Sequence, residues 1–247
     1  MASTWAAKLP RVKVALGREQ KTVTFVIPYY ESPQFLLEQI GVWAQYPAGL
    51  RPFLRAIVVD DGSPSPAWVP PIQPFPIRLF RIGVDVPWNW LAARNIGAHH
   101  ADEGWLLLTD MDHVVPNETV QSLVCGAHDP GVVYVFSRRE HTGQEVPPHS
   151  ASFLMTRKMF WSIGGYDETL SGHYGTDGEF RRRVAAKAPM QVLTDVLIRH
   201  EYVSDASTSR YRRKLPEDAA AVQQMVHART SDWTPKTLSF EYQEVTC

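Results

Sequence analysis

Apolar residues recur along the chain in short blocks of two kinds. "KTVTFVIP" (21–28) and "FLRAIVVD" (53–60) are β-branched runs of strand length, while "PQFLLEQIGVWAQY" (33–46) between them has helical character. Strand, helix, strand in that order predicts a parallel pair joined by a right-handed crossover. The alternation continues with a strand at 77–82, a helix at about 89–101, the strand "GWLLLT" at 104–109 and a helix from Pro116 to about 127. Strands at 132–138 and 150–156, a helix to about Ala188, a strand at 191–200 and a last helix at about 217–229 complete it. "SPSPAWVPPIQPFP" (63–76) is too dense in proline for helix or central strand and predicts a surface loop. This order of elements predicts an α/β fold, one domain with a mixed, mainly parallel sheet flanked by helices.

Composition agrees with a folded enzyme-sized globule: of 247 residues, 44% are hydrophobic and 21% charged, enough to build a core and too apolar for disorder. A net charge of -1 supplies no global attraction to nucleic acid or anionic membrane. Cys125 and Cys247 lack the spacing of a metal site or disulfide framework, which leads us to expect a reducing, cytoplasmic compartment. The N-terminal residues contain no signal-like apolar core, and no run approaches the ~20 apolar residues that span a bilayer.

Candidate chemistry begins where the apolar run "LLLTDMDH" (106–113) ends in two carboxylates. A strand buried on both faces is continuously apolar, and ligands of open α/β sheets collect beyond the carboxyl ends of such strands. If the backbone stays extended, Asp110 and Asp112 face the same side, a pair of hard oxygens suited to Mn²⁺ or Mg²⁺ and a diphosphate. On the same assumption His113 faces away, which favours a structural or second-layer supporting role over that of a third metal ligand. "TDGE" (176–179) has the form of a capping box, with Thr176 and Glu179 opening a helix and Asp177 in its first turn, where the dipole favours the ionised form. Trp88 and Trp90, beside a helix start, are expected as core anchors rather than sugar-stacking faces.

"FVIPYYES" (25–32), "VVDDGS" (58–63), "AARNIGA" (92–98), "LLLTDMDH" and "IGGYDETLSGHYGTDGEF" (163–180) occur in an order that resembles family-2 glycosyltransferases of the GT-A fold, over roughly residues 22–202. The resemblance implies an inverting, metal-dependent hexosyltransferase in a domain at 21–203, with a nucleotide-binding half at about 21–113 and an acceptor half at about 114–203. Residues 1–20 would be an extension, and 204–247 a mobile basic loop, helix and tail. Its donor would be a nucleotide sugar, UDP-linked if an aspartate among Asp60 and Asp61 accepts the imide N–H of uracil, although "DDGS" is also good turn chemistry.

By the same resemblance Pro28, Tyr29, Tyr30 and Glu31 line the nucleoside pocket, and Arg94 reaches base or phosphate. Asp110 contacts ribose or metal, Asp112 ligates the metal and His200 is a further ligand. Asp177 is the base that deprotonates the acceptor hydroxyl. Arg212, with Arg210, Arg213 and Lys214, would cover the donor diphosphate. Thr176 stands where many relatives carry Glu, so the acidic residue before Asp177 is missing. The acceptor is a glycan, a small molecule or a hydroxymethylated DNA base. A sugar-nucleotide nucleotidyltransferase and a non-catalytic nucleotide-sugar module are the alternatives; the first usually carries a Gly-rich loop where this chain has "PYYESPQF". Neither G-x-G-x-x-G nor G-x-x-x-x-G-K-[ST] occurs, which argues against dinucleotide and P-loop enzymes.

Overall fold

The computed structural model describes residues 4–17, 19–199 and 216–246. In chain order its main elements are β1 (Arg11–Val12), β2 (Val23–Tyr29), α1 (Pro33–Trp43), β3 (Leu54–Asp60), β4 (Ile77–Ile82), α2 (Trp90–His100), β5 (Trp105–Leu108) and β6 (His113–Val114). There follow α3 (Asn117–Cys125), β7 (Val133–Arg139), β8 (Glu145–Val146), β9 (Phe153–Thr156), α4 (Arg157–Ser162), α5 (Asp177–Lys187), β10 (Met190–Arg199), α6 (Pro216–His227) and β11 (Tyr242–Val245). The strands form one sheet in the order β1-β10-β7-β9-β5-β2-β3-β4-β11, with β6 on β10 and β8 on β7. Pairing is parallel through β5, β2, β3 and β4, and antiparallel where β9 joins β5 and β7.

The continuous apolar runs have a simple cause: both faces of the sheet are covered. Phe25 and Ile27 of β2, Ala56 and Val58 of β3, and Leu107 of β5 point into one core with Trp43 of α1 and Leu123 of α3. The alternate residues Val26, Ile57, Val59, Leu106 and Leu108 point into a second core with α2, α5 and Val222 of α6. A period of two is therefore present in the structure but invisible as polarity. Gly97 lets α2 lie directly on β2, because a Cβ there would come within 2.4 Å of Val26 Cγ1.

Elements beyond the sequence expectation are short or polar. The six residues of α4 are too few to show a period; Thr156 caps it by accepting from Met159 N at 3.0 Å. β11 reads "YQEV" and closes the far edge by antiparallel pairing with β4. The expected capping box is absent. Thr176 makes no side-chain cap bond, and Glu179 turns instead to the guanidinium of Arg183, at 2.8 Å, and to that of Arg229. Among the described residues no helix is long and apolar enough to cross a membrane.

Candidate active site

Parallel pairing places the ends of three strands side by side. Tyr29 is opposite Asp60, and Thr109, just past β5, donates its N–H to Val26 O at 3.3 Å. The chain segments that leave these ends therefore share one crevice, as expected at the carboxyl edge of an α/β sheet. Its cavity has a volume of about 300 Å³. Pro28, Tyr29, Tyr30 and Asp61 line one part of it, and Asp110, Asp112 and Asp177 another.

The two neighbouring aspartates at the end of β3 have different tasks. Asp60 is fully buried, and its carboxylate accepts from Ser63 N at 2.9 Å and Ala67 N at 2.8 Å. It holds the turn. Asp61 faces the cavity, and its Oδ1 is buried with no hydrogen-bond partner. Burial, then the charges of Asp60 and Asp85, push its pKa well up, with Asn89 opposing them. Gly62 (φ +74°) makes this crowding possible, because a Cβ there would sit 2.1 Å from Val84 O. Burial, followed by Asp60, likewise pushes the Tyr29 phenol up to about 12.

After β5 the backbone does not stay extended. His113 N donates to Asp110 O at 3.2 Å, closing a turn. This overturns the expectation that His113 points away: it is brought to the same side as Asp110. Asp110 Oδ2 lies 3.4 Å from His149 Nε2, and the His113 and His149 rings lie 4.9 Å apart. Asp110, His113 and His149 can offer ligand atoms that all fall within 4.8 Å of one another. Asp112 Oδ1 is 2.8 Å from His113 Nδ1. A carboxylate with two imidazoles, and a second carboxylate alongside, is a donor set that fits Mn²⁺. Ser152 Oγ, 3.0 Å from His149 Nδ1, orients that ring, and burial above all pushes its pKa down to about 4.

Arg94 is not on the cavity wall. It is fully buried behind Asp110, with Nη2 2.5 Å from Asp110 Oδ1 and Nη1 donating to Tyr166 Oη at 3.0 Å and to Ala151 O. The bonds it makes go to protein groups and its side chain has no exposed surface, so it stands behind the site rather than where the expected contact with base or phosphate would be made. Glu31 also falls off the wall: its backbone has φ +42° and its N–H donates to Ser63 Oγ at 3.0 Å, joining the two loops.

A further stretch of the lining comes from the loop before α5. Tyr174, Gly175 and Asp177 form it, with Asp177 the first residue of the helix. α5 is anchored by a buried ionic cluster in which Arg229, from the segment after α6, bridges Glu179 and Asp167, the latter at 2.6 Å. Trp90 packs edge-on to Tyr166 at 5.1 Å and beneath Arg94, an anchor as expected. Trp88 and Trp90 both border the cavity, and Trp88 differs in its backbone, with φ +51°.

Sequence reasoning thus brought Pro28, Tyr29, Tyr30, Asp61, Asp110, Asp112 and Asp177 to one cavity, and the structure assembles them there. His200, Arg210, Arg212, Arg213 and Lys214 lie outside the described residues. His149 and Tyr174 were missed. Nothing in "PPHSAS" marks a histidine destined for a site, because its partner Asp110 is distant in sequence and adjacent only across the β5–β9 pair.

The family model described as Glycosyl transferase family 2 matches residues 24–185. No curated protein matches the chain. Solved structures with the same fold include TarS 1–349 of S. aureus in complex with UDP-GlcNAc, at 16% identity and a TM-score of 0.63 over 83% of this chain and 65% of that one. The mannosyltransferase PcManGT from Pyrobaculum calidifontis, in complex with GDP-Man and Mn²⁺, aligns at 17% identity and TM-score 0.61 over 90% of this chain and 68% of that chain. GalNAc-T7 with UDP, GalNAc and Mn²⁺ aligns at 16% identity and TM-score 0.58 over 76% and 47%. This chain therefore spans slightly less than two thirds of the TarS fragment. At these identities the likeness establishes the fold.

Proposed function

Because the chain belongs to glycosyl transferase family 2, we propose that it transfers a sugar from a nucleoside-diphosphate sugar to an acceptor hydroxyl, with inversion at the anomeric carbon. The observation that carries this reading is the convergence of Asp61, Asp110, Asp112 and Asp177, remote in sequence, on one cavity. A volume of about 300 Å³ is at the low end for ligand sites, and the cavity is partly open, so part of an elongated donor would project towards solvent.

The base would enter beside Pro28 and Tyr30. Asp61 Oδ1 lacks a hydrogen-bond donor, and the imide N–H of uracil supplies one, which favours a uridine donor. Arg94 holds Asp110 from behind so that its second oxygen remains directed at the cavity. Asp110, Asp112, His113 and His149 are the described residues that would hold a Mn²⁺ or Mg²⁺ ion. When bound, that ion offsets negative charge on the diphosphate leaving group.

Asp177 takes the proton of the acceptor hydroxyl as the oxygen attacks the anomeric carbon. The bond from that carbon to the diphosphate oxygen breaks in the same displacement, and the electron pair leaves with the nucleoside diphosphate. Asp177, the first residue of α5, is placed on the cavity wall where an acceptor hydroxyl would meet its carboxylate.

The test is incubation with labelled UDP- and GDP-sugars, Mn²⁺ or Mg²⁺, and a panel of glycans, small alcohols and hydroxymethylpyrimidine DNA, read by mass spectrometry. One acceptor should gain a hexose mass, excess EDTA should abolish the gain, and Asp177→Asn should retain donor binding while losing about 10²-fold or more in transfer. Full turnover in Asp177→Asn would remove the base assignment, and undiminished rates in EDTA the metal.

A further inference from the structure

We propose that Asn89 is a positioning residue that links the nucleobase contact at Asp61 to the loop carrying Asp177, so that a bound donor steadies the group that accepts the proton. The inference rests on the glycosyl-transfer reading and adds how the two halves of that site are coupled.

Asn89 stands at the N-terminal cap of α2, where an asparagine side chain ordinarily accepts from the helix backbone. This side chain makes no such bond. Fully buried, it reaches instead to the loop before α5, and its Oδ1 accepts from Ser171 Oγ at 2.6 Å. A second strut runs alongside, Gly172 N donating to Pro87 O at 2.8 Å. Trp88, between the two struts, is held at φ +51°, a backbone region that persists only where surrounding structure imposes it. At its other end Asn89 faces Asp61. The two act on each other, Asn89 opposing the upward push of burial on the Asp61 pKa. Yet among the described residues Asn89 Nδ2 and Asp61 Oδ1 are both buried without a completed hydrogen bond, so this end of the link is open to adjustment.

The loop needs such a support. Asp167 anchors the chain before it and Glu179 the helix after it, both through Arg229. Between these anchors Gly172 and Gly175 have φ +94° and +85°, and a Cβ on either would meet no described atom within 4 Å. Thr176, at the start of α5, makes no cap bond, and its Oγ1 is buried without a partner among the described residues. The bonds to Pro87 and Asn89 therefore tie a loosely packed stretch to the donor side of the cavity. A nucleobase N–H that pairs with Asp61 favours its ionised form, and a carboxylate accepts from the Asn89 amide more strongly than a neutral carboxyl does. Buried hydrogen bonds in series polarise one another, so the gain at Asp61 tightens the bond from Ser171 and, with it, the loop.

The experiment follows amide hydrogen exchange over residues 171–178 by mass spectrometry, with Mn²⁺ alone and with Mn²⁺ plus UDP or GDP, in wild type, Ser171→Ala, Ser171→Thr and Asn89→Ala. The nucleotide that binds wild type should slow exchange there by at least about fivefold, the low end for coupling between sites. Ser171 does not line the cavity, so Ser171→Ala should bind that nucleotide with a Kd within about threefold of wild type yet lose the protection. Asn89→Ala should lose it as well, and Ser171→Thr, which keeps the hydroxyl, should retain most of it. A bond with a structural role alone would alter exchange equally with and without nucleotide, so the nucleotide-dependent difference is the readout. Nucleotide binding that leaves exchange of this stretch unchanged in wild type would overturn the link without recourse to any variant, and so would full protection in Ser171→Ala. Failure of wild type to bind either nucleotide would instead overturn the donor reading on which the link rests, so the two failures are distinct.

Discussion

Arg94 Nη2 lies 2.5 Å from Asp110 Oδ1, joining a guanidinium with no exposed surface to a carboxylate that reaches the cavity. One buried cation therefore sets the direction of a site carboxylate, and the same group ties it to Tyr166 and to the backbone of Ala151. Removing the cation would leave these acceptors unpaired. Arg94→Ala is expected to destabilise the fold by about 3 kcal/mol in urea titration, the low end for a broken buried pair because Asp110 is partly solvated. Arg94→Lys should retain more stability yet lose transfer, since an ammonium cannot reproduce the fork that serves three acceptors.

Asp60 and Asp61 should separate stability from binding. Asp60→Ala orphans two buried N–H groups, of Ser63 and Ala67, and should cost roughly 2–4 kcal/mol. Asp61→Ala relieves like-charge crowding, so its melting temperature should hold or rise while the Kd for UDP increases at least tenfold. Equal loss of melting temperature in both variants would contradict this division of labour.

Arg229 ties the segment after α6 to the helix that begins with Asp177. Its partners Asp167 and Glu179 are almost wholly buried, 0% and 3% exposed at the side chain. Arg229→Met should destabilise the protein by roughly 3–5 kcal/mol, because it strips a buried pair of carboxylates of one cation. A companion Glu179→Gln substitution should recover part of that loss; strict additivity of the two would show that the charges are uncoupled.

His128 makes stability depend on acid. Burial first, then the charge of Lys21, push its pKa from 6.5 down to about 4. The unfolded chain therefore binds the proton first as pH falls, and stability is lost between about pH 6.5 and 4 and is unaffected by this group above that range. The shift corresponds to about 3 kcal/mol. Urea midpoints at pH 7.5 and pH 5 should converge for His128→Phe relative to wild type; an unchanged pH difference would show that His128 does not carry it.

The alternation of strands and helices was legible in the chain because both faces of the sheet are covered, so strands such as "WLLLT" are uninterrupted apolar runs between helices of the other period. The site was legible where residues sit at strand ends, because parallel pairing brings such ends together whatever the loops do. Pro28, Asp61, Asp110 and Asp112 follow from that rule alone. The chain by itself therefore determined the class of fold, the edge of the sheet that carries the chemistry and the identity of its carboxylates.

Tertiary structure decided which side each of those groups faces and what stands behind it. A single turn at Asp110 brings His113 inward where extended backbone would have turned it out. The β5–β9 pairing supplies His149, burial converts Arg94 from a ligand contact to a support, and Glu179 leaves its expected cap for Arg183 and Arg229. These outcomes depend on local φ and on partners many residues away. Periodicity reports the first only on average and the second not at all.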